Sequence, residues 1–177
     1  NNDKPEGQHQ MYGSLLNTAM DMASDDLTSG PGTPNPNVRS LAILTHSSTN
    51  IRVEQMWQQH YIAVNKANAA LQRIPGMTIN EKLKDRLLGE ALFLRALFYF
   101  NLVRLYGDVP LLLKDQTTLS IKELQVPRTS KEAVYEQIIT DLTTAANHLR
   151  NGSSGEKGRA TEGAAKSLLA KVYLTTR

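Results

Sequence analysis

Three features of the sequence predict an all-α fold built from antiparallel helical hairpins. Apolar residues recur at three- and four-residue spacing over several long stretches, which is the period of an amphipathic helix. The second and third of these stretches are separated by a turn of about four residues, short enough to make the helices antiparallel neighbours. Alanine occupies positions where helices pack closely. Two such hairpins in succession predict a tetratricopeptide-like α-solenoid with one long irregular loop, in repeats longer and less regular than 34 residues.

The first predicted helix covers residues 8–23, and Ser24, Asp25 and Asp26 end it. The stretch at 27–49 that follows is rich in Ser, Gly, Pro and Asn, and its part at 30–37 is expected to hold no regular element. Loops of this length inside a compact domain are usually functional or disordered. Within it, Leu41 to Leu44 is expected to anchor the loop to the core.

The second helix is predicted over residues 50–74 and is stopped by Pro75 and Gly76. A capping box of Thr78 and Glu81 then starts a central helix. This helix is almost entirely apolar in its second half and is expected to be buried on most sides.

Gly107 is expected to end the central helix with a positive φ, and Pro110 prevents the helix from resuming. A second capping box, Thr129 with Glu132, begins a helix at 130–149. The last helix starts near Ala160, and small residues in its first turns allow another helix to approach.

Composition excludes several classes of function. The formal charge is +3 with both signs interleaved, so no clustered basic surface for nucleic acid is expected. There is no cysteine, which excludes disulfides, thiolate zinc sites and cysteine nucleophiles. The histidines are far apart, no phosphate-binding or nucleophile motif is present, and no apolar run is long enough to span a bilayer. We therefore expect no enzyme activity, no metal and no cofactor.

Charged residues in apolar surroundings still need an explanation. Glu90, Arg95 and Arg104 lie in the central helix, where buried charges are costly unless paired, so structural ion pairs or hydrogen bonds are favoured over catalysis. The adjacent Asp25 and Asp26 could contact a ligand or cation. The favoured interpretation is a helix end feeding a turn.

The positions of the aromatic residues argue against a sugar platform in the loop. Sugars stack on exposed aromatic rings while polar side chains bind their hydroxyls. Every aromatic residue falls on a predicted helix or its end, so all, including Trp57 and Tyr173, are expected in the core. The loop offers only Asn35, Asn37 and Arg39 as ligand-binding candidates.

Several segments, in order along most of the chain, resemble the SusD/RagB family, surface lipoproteins that capture nutrients for outer-membrane transporters. They are Ser24-Asp25-Asp26, WQQHYIAVNKANAAL (57–71), LRALFYFNLVRLYGDVPL in the central helix, VPRTSKEAVYEQIITDLTTAANHL (126–149) and GRATEGAAKSLLAKVYL (158–174). The resemblance implies a tetratricopeptide-like scaffold with grafted loops. It also implies that residues 1–177 form a single N-terminal helical domain of a longer chain, whose lipid-anchored cysteine lies outside this sequence.

By this resemblance, the protein is a non-catalytic glycan- or nutrient-binding protein of the outer-membrane surface. It would deliver oligosaccharide to a TonB-dependent, SusC-like transporter, and this part would act mainly as scaffold while the rest supplies much of the site. The alternative is a tetratricopeptide-like adaptor with a peptide groove that includes Asn65, Lys66 and Asn68. An α-helical enzyme, for example a glycoside hydrolase, is least favoured because no acid and base pair is evident.

Overall fold

The computed structural model describes residues 16–21, 24, 29–30, 32, 34–116, 126–152 and 156–176. Within these residues the regular structure is helical, and the one pairing of extended segments is an isolated bridge between Val109 and Thr129. The all-α prediction is confirmed. The helices are α1 (Leu16–Met20), α2 (Pro36–Ala42), α3 (Ile51–Arg73), a 3₁₀ turn (Ile74–Gly76), α4 (Glu81–Tyr106), α5 (Lys131–Gly152) and α6 (Glu162–Thr175).

The chain divides into two compact units, residues 1–59 and 60–177, with the boundary inside α3. The first unit holds α1, α2 and the beginning of α3. The second holds the rest of α3 with α4, α5 and α6. That residues 1–177 form one domain stays a prediction.

The loop at 27–49 contains a helix that the sequence analysis did not predict. Residues 30–37 were expected to hold no regular element, but Pro36 and Asn37 begin α2. Proline is well suited to the first helical position, because its fixed φ is helical and its missing N–H has no intrahelical partner there. The predicted anchor is correct for Leu41, which is 3% exposed, and wrong for Ile43 and Leu44, which are 58% and 66% exposed.

The core of the second unit surrounds α4, as predicted for the central helix. One cluster of buried side chains joins α4, α5 and α6, and it consists of Leu92, Ala145, Ala146, Leu149 and Ala165. The close approach of α4 to α5 depends on a glycine. A Cβ at Gly89 would lie 2.7 Å from Cγ of Leu149, closer than real Cβ contacts occur.

Contacts between α4 and α5 run in opposite order along the two helices. His148 bonds Asp85 near the start of α4, and Asp141 bonds Arg95 in its middle. The α5–α6 pair is joined at its turn by Arg150 and Glu162. The order of these contacts shows that α4 and α5 are antiparallel. In the predicted α3–α4 hairpin, His60 packs against Phe98 and Asn68 bonds Arg95, so later residues of α3 meet earlier residues of α4. The predicted antiparallel arrangement of that hairpin is therefore confirmed.

The boundaries of α3, α4, α5 and α6 agree with prediction to within a few residues, while of the predicted helix at 8–23 only the part from Leu16 to Met20 is described as helix, and residues 8–15 lie outside the described residues. Two of the predicted caps are wrong. Asn80, not Thr78, caps α4, because its Oδ1 accepts the backbone N–H of Leu83 at 2.8 Å. At α5, Thr129 is engaged in the bridge to Val109 instead of capping the helix. The predicted positive φ at Gly107 is confirmed at 69°.

The start of α5 is held by two other side chains. The Oδ1 of Asp108 accepts the backbone N–H of Lys131 at 2.9 Å, and the Oγ of Ser130 accepts that of Ala133 at 3.4 Å. A carboxylate at this position also complements the positive end of the helix dipole. Asp108 therefore ties the exit of α4 to the entrance of α5.

Candidate functional site

The three loop candidates lie at the start of α2. Asn35 is the N-cap, and its Oδ1 accepts the backbone N–H of Asn37 at 2.9 Å and of Val38 at 3.4 Å. The Oδ1 atom of Asn35 thus accepts hydrogen bonds from the helix, while its Nδ2 is a hydrogen-bond donor. Asn37 and Arg39 are two positions apart on α2, so they project about 200° apart around its axis. The helix does not present all three candidates on one face.

A buried asparagine fixes this region. Asn50 is 4% exposed, and its Nδ2 donates to the backbone oxygen of Asn37 at 2.9 Å and to the Oγ of Ser40 at 3.0 Å. Its Oδ1 accepts the backbone N–H of Arg52 at 2.8 Å, which caps the start of α3. One side chain therefore holds α2 against the start of α3. Asp25 and Asp26, the other candidates near this loop, lie outside the described residues.

A second polar site lies in the groove beside α3 and α4. Two of its residues, Asn65 and Asn68, are among those of the alternative adaptor's predicted peptide groove. The segment 109–116 follows α4 without helix as far as Asp115, bends at Lys114 and crosses this groove. The hydroxyl of Tyr61 donates to the backbone oxygen of Pro110 at 2.8 Å. The hydroxyl of Tyr99 donates to the backbone oxygen of Leu112 at 2.9 Å and accepts the N–H of the same residue at 2.7 Å.

Two asparagines of α3 bind the second half of the segment. The Nδ2 of Asn68 donates to the backbone oxygens of Leu112 and Lys114, at 2.9 and 3.1 Å. The Oδ1 of Asn65 accepts the N–H of Gln116 at 2.7 Å. The expected groove residues Asn65 and Asn68 therefore bind the chain's own backbone, while Lys66 is exposed.

An ion pair adds one side-chain contact to these backbone contacts. Asp115 is 1% exposed and lies 3.0 Å from Arg73, whose side chain is largely exposed. Burial raises the pKa of Tyr99 and, with the neighbouring Tyr99 as a smaller cause, that of Tyr61. Both hydroxyls therefore stay protonated, and able to donate, to a higher pH than an ordinary tyrosine hydroxyl.

Arg95 fixes the orientation of the Asn68 side chain in the groove. Its guanidinium makes two parallel bonds of 2.7 Å to the carboxylate of Asp141, and its Nη1 donates to the Oδ1 of Asn68 at 3.0 Å. Because Oδ1 of Asn68 is held by Arg95, the amide nitrogen must face segment 109–116. Gln137 completes the network with a 2.8 Å bond to Asp141. The predicted structural role of Arg95 is confirmed.

The other two charges of α4 also have structural contacts. Glu90 pairs with Arg159 through two hydrogen bonds. Arg104 is exposed, donates to the Oδ1 of Asn101 at 2.8 Å and lies 4.2 Å above the ring of Phe100. These contacts explain the residues without catalysis.

An open cleft of about 470 Å³ lies where the beginning of α5 meets the end of α6. Its lining includes Tyr135, Tyr173, Glu132 and Glu136. Tyr173 is 49% exposed, so the prediction that every helical aromatic is a core residue is wrong there. The last turn of α6 extends beyond the core, and the apolar spacing that predicts the helix does not reveal which of its turns lack a neighbour.

The described residues give no sign of a metal site or a membrane span. They contain no group of three or more histidine or acidic side chains positioned to hold a metal ion. No helix formed by them combines the length and hydrophobicity that crossing a bilayer requires.

Comparisons with known proteins show which family this helical architecture resembles. A SusD-like family described as "Starch-binding associating with outer membrane" matches residues 7–174. A SusD-like protein of Bacteroides ovatus is 36% identical over 121 residues, which cover 67% of this chain and 21% of that protein. The chain thus spans about a fifth of this relative.

Solved structures agree in fold. A SusD-like protein of Bacteroides fragilis superposes with a TM-score of 0.71 at 37% identity, over 80% of this chain and 27% of its own. A structure with xylogluco-oligosaccharide gives a TM-score of 0.74 at 28% identity, over 90% of this chain and 30% of its own. The tetratricopeptide-like all-α prediction is confirmed by these neighbours. The chain belongs to the SusD-like family.

Proposed function

We propose that the protein containing this chain binds a glycan at the outer-membrane surface and delivers the oligosaccharide to a TonB-dependent, SusC-like transporter. The match of residues 7–174 to a starch-binding, outer-membrane-associated family carries this proposal. A structural neighbour with xylogluco-oligosaccharide supports oligosaccharide as the ligand class. The full-length form is then a surface lipoprotein, held at the membrane through a lipid anchor outside this chain.

Within that protein, the described helices act mainly as scaffold. The buried polar side chains of Arg95, Asp141 and Asn68 in the second unit are engaged with each other or with the backbone. Groups already bonded and buried are poor contacts for a sugar, because each new hydrogen bond would replace an existing one. What they supply is rigidity, which lowers the cost of ordering a site built on loops.

Ligand contact from this chain is proposed at Asn35, Asn37 and Arg39. Amide and guanidinium groups are the donors that sugar hydroxyls accept, and α2 holds these residues in fixed positions. An aromatic platform for stacking is not offered by the sequence at 27–49, so we infer that the rest of the protein supplies it.

The test uses a longer form of the protein in which these residues are changed without removing the helix cap. Asn35→Ser keeps a cap oxygen but removes the amide donor, and Asn37→Ala and Arg39→Ala remove the other two side chains. Asn80→Ser, the same change at the cap of α4, is the matched control.

Affinity electrophoresis in gels containing xyloglucan or starch should show weaker retardation of the triple variant and unchanged retardation of the control. Equal retardation of both proteins would place the ligand contacts elsewhere. Loss of the gene should abolish uptake of at least one glycan, and uptake that is intact on every glycan tested would contradict the transport role.

A further inference from the structure

The contacts to segment 109–116 are the contacts of a peptide-binding groove. They fall on Pro110, Leu112, Lys114 and Gln116, at every second residue, and the backbone bends at Lys114 so that the oxygens of Leu112 and Lys114 both reach the amide nitrogen of Asn68. Before that bend, Pro110 and Leu112 are alternate positions of a chain without helix, so their backbone groups lie on one edge of the segment, and the groove binds that edge. All of these bonds are to backbone N–H or C=O groups, which every peptide carries.

The groove uses donors and acceptors in the pattern of strand addition. Tyr99 gives and takes one hydrogen bond at the same residue, Leu112, as a neighbouring strand does in a hydrogen-bonded pair. Peptide recognition by strand addition derives affinity from main-chain bonds and selectivity from a few side-chain contacts. Here the side-chain contact is the ion pair of Asp115 with Arg73.

We propose that the α3–α4 groove is a peptide site occupied in cis by segment 109–116, and that this occupancy excludes extended peptides in trans. The side chain of Leu113 is 41% exposed and a cleft of about 440 Å³ lies beside it, so the groove does not select side chains at that position. Its ligand is a peptide backbone that is extended up to the position of Leu113 and bends before an acidic residue at the register of Asp115.

Segment 109–116 outcompetes a free peptide for the groove because it is tethered to α4. It begins two residues after Gly107 at the end of α4, so its effective concentration at the groove is of millimolar order or higher. A free peptide at micromolar concentration is then outcompeted by about a thousandfold. The intact protein consequently does not act as an open peptide adaptor, whatever its role with glycans.

The test weakens the segment and leaves the groove unchanged. In the double variant Leu112→Pro, Asp115→Ala, the N–H bonded by Tyr99 and the ion pair with Arg73 are both removed. Leu113→Ala, a change at an exposed side chain of the same segment, is the matched control.

The probe is a fluorescein-labelled, end-blocked peptide with the sequence of residues 108–117, DVPLLLKDQT, and binding is read by fluorescence anisotropy. We expect the double variant to bind it at least tenfold more tightly than the unchanged protein or Leu113→Ala. A peptide N-methylated at the residue matching Leu112 should lose this binding, because the hydrogen bond to Tyr99 is then impossible.

Equal, weak binding by the folded double variant and the unchanged protein would overturn the proposal. If the double variant loses its helical circular dichroism, hydrogen exchange on the unchanged protein decides. The amides of Leu112 and Gln116 should then be protected, and Asn65→Ala should release protection at Gln116 while α5 stays protected. Exchange of both amides at the rate of an unstructured peptide in the unchanged protein would refute an occupied groove.

Discussion

Replacing Arg95 by methionine should destabilise the second unit by about 3–5 kcal/mol, the cost of removing one partner of a buried ion pair. The side chains of Arg95 and Asp141 are 9% and 2% exposed, so solvent cannot compensate the aspartate once the guanidinium is gone. Asp141 would keep only the 2.8 Å bond from Gln137 among those described. The Oδ1 of Asn68 would lose its donor as well, at a cost of about 1–3 kcal/mol that overlaps with the first.

The assay is urea unfolding followed by circular dichroism at 222 nm. With a slope of about 2 kcal/mol per molar urea, a loss of about 4 kcal/mol lowers the unfolding midpoint by roughly 2 M. The matched control is Arg104→Met, the same substitution on the same helix. The exposed side chain of Arg104 donates to Asn101 at 2.8 Å and to the backbone oxygen of Phe100 at 3.2 Å, and it lies over the Phe100 ring. Because these contacts are at the surface, their loss should cost roughly 1–2 kcal/mol, well below the cost at Arg95.

The double variant Arg95→Met, Asp141→Leu separates the cost of leaving Asp141 without its ion-pair partner from the cost of changing the packing of the core. Replacing a whole buried pair by apolar residues is often close to neutral, so the double variant should recover at least half of the stability that Arg95→Met loses. The reasoning is refuted if Arg95→Met costs no more than Arg104→Met. It is also refuted if the costs of changing Arg95 and Asp141 simply add.

Three further changes test other parts of the fold. Gly89→Ala should lower the free energy of unfolding by about 1 kcal/mol in thermal melts. Overpacking against Leu149 costs about 1–3 kcal/mol, and the gain in helix propensity offsets up to about 1 kcal/mol of this. A stabilised variant would show that α5 can move away from α4. Asp108→Ala should cost about 0.5–2 kcal/mol in urea unfolding and Thr129→Ala less, and the reverse order would restore the predicted capping box. Burial raises the pKa of Tyr106 to about 12. The stability that this protonated hydroxyl contributes is therefore complete below pH 10 and is lost between pH 10 and 12. Tyrosinate absorbance of Tyr106 at 295 nm should appear together with unfolding, and tyrosinate formation by Tyr106 near pH 10 in the folded protein would contradict its burial.

Most of the fold could be predicted because the long helices carry a strong local signal. Apolar spacing locates α3, α4, α5 and α6 to within a few residues, and Gly107 marks the end of α4 through its backbone freedom. The helix α2 was missed because its prolines were interpreted only as breakers. In fact Pro36 follows the N-cap Asn35, where proline starts a helix.

Caps were harder to predict than helices because several residues near a helix start can accept the same N–H. At α4, Asn80 and Thr78 both have suitable side chains, and the conformation of the turn selects Asn80. At α5 the cap from Asp108 comes from 23 positions earlier in the chain, which no local motif can reveal.

The polar network was only partly predictable for a related reason. An arginine in an apolar helix indicates that a partner exists, and this was expected for Arg95. The identity of that partner is a question of packing, because Asp141 is 46 positions away on another helix. Likewise the adaptor alternative names Asn65 and Asn68 as possible groove residues, but the sequence does not show that they bond the backbone of the chain's own segment 109–116.

The most direct test of the central claim is a glycan-array screen of this chain beside a form extended at its C-terminus. The account predicts that the extended form binds at least one oligosaccharide and that residues 1–177 alone bind none, because the helices are scaffold and the loop lacks an aromatic platform. Binding by residues 1–177 alone would contradict the scaffold role and place a complete site in this chain. Failure of the extended form to bind any glycan would contradict the proposed function itself.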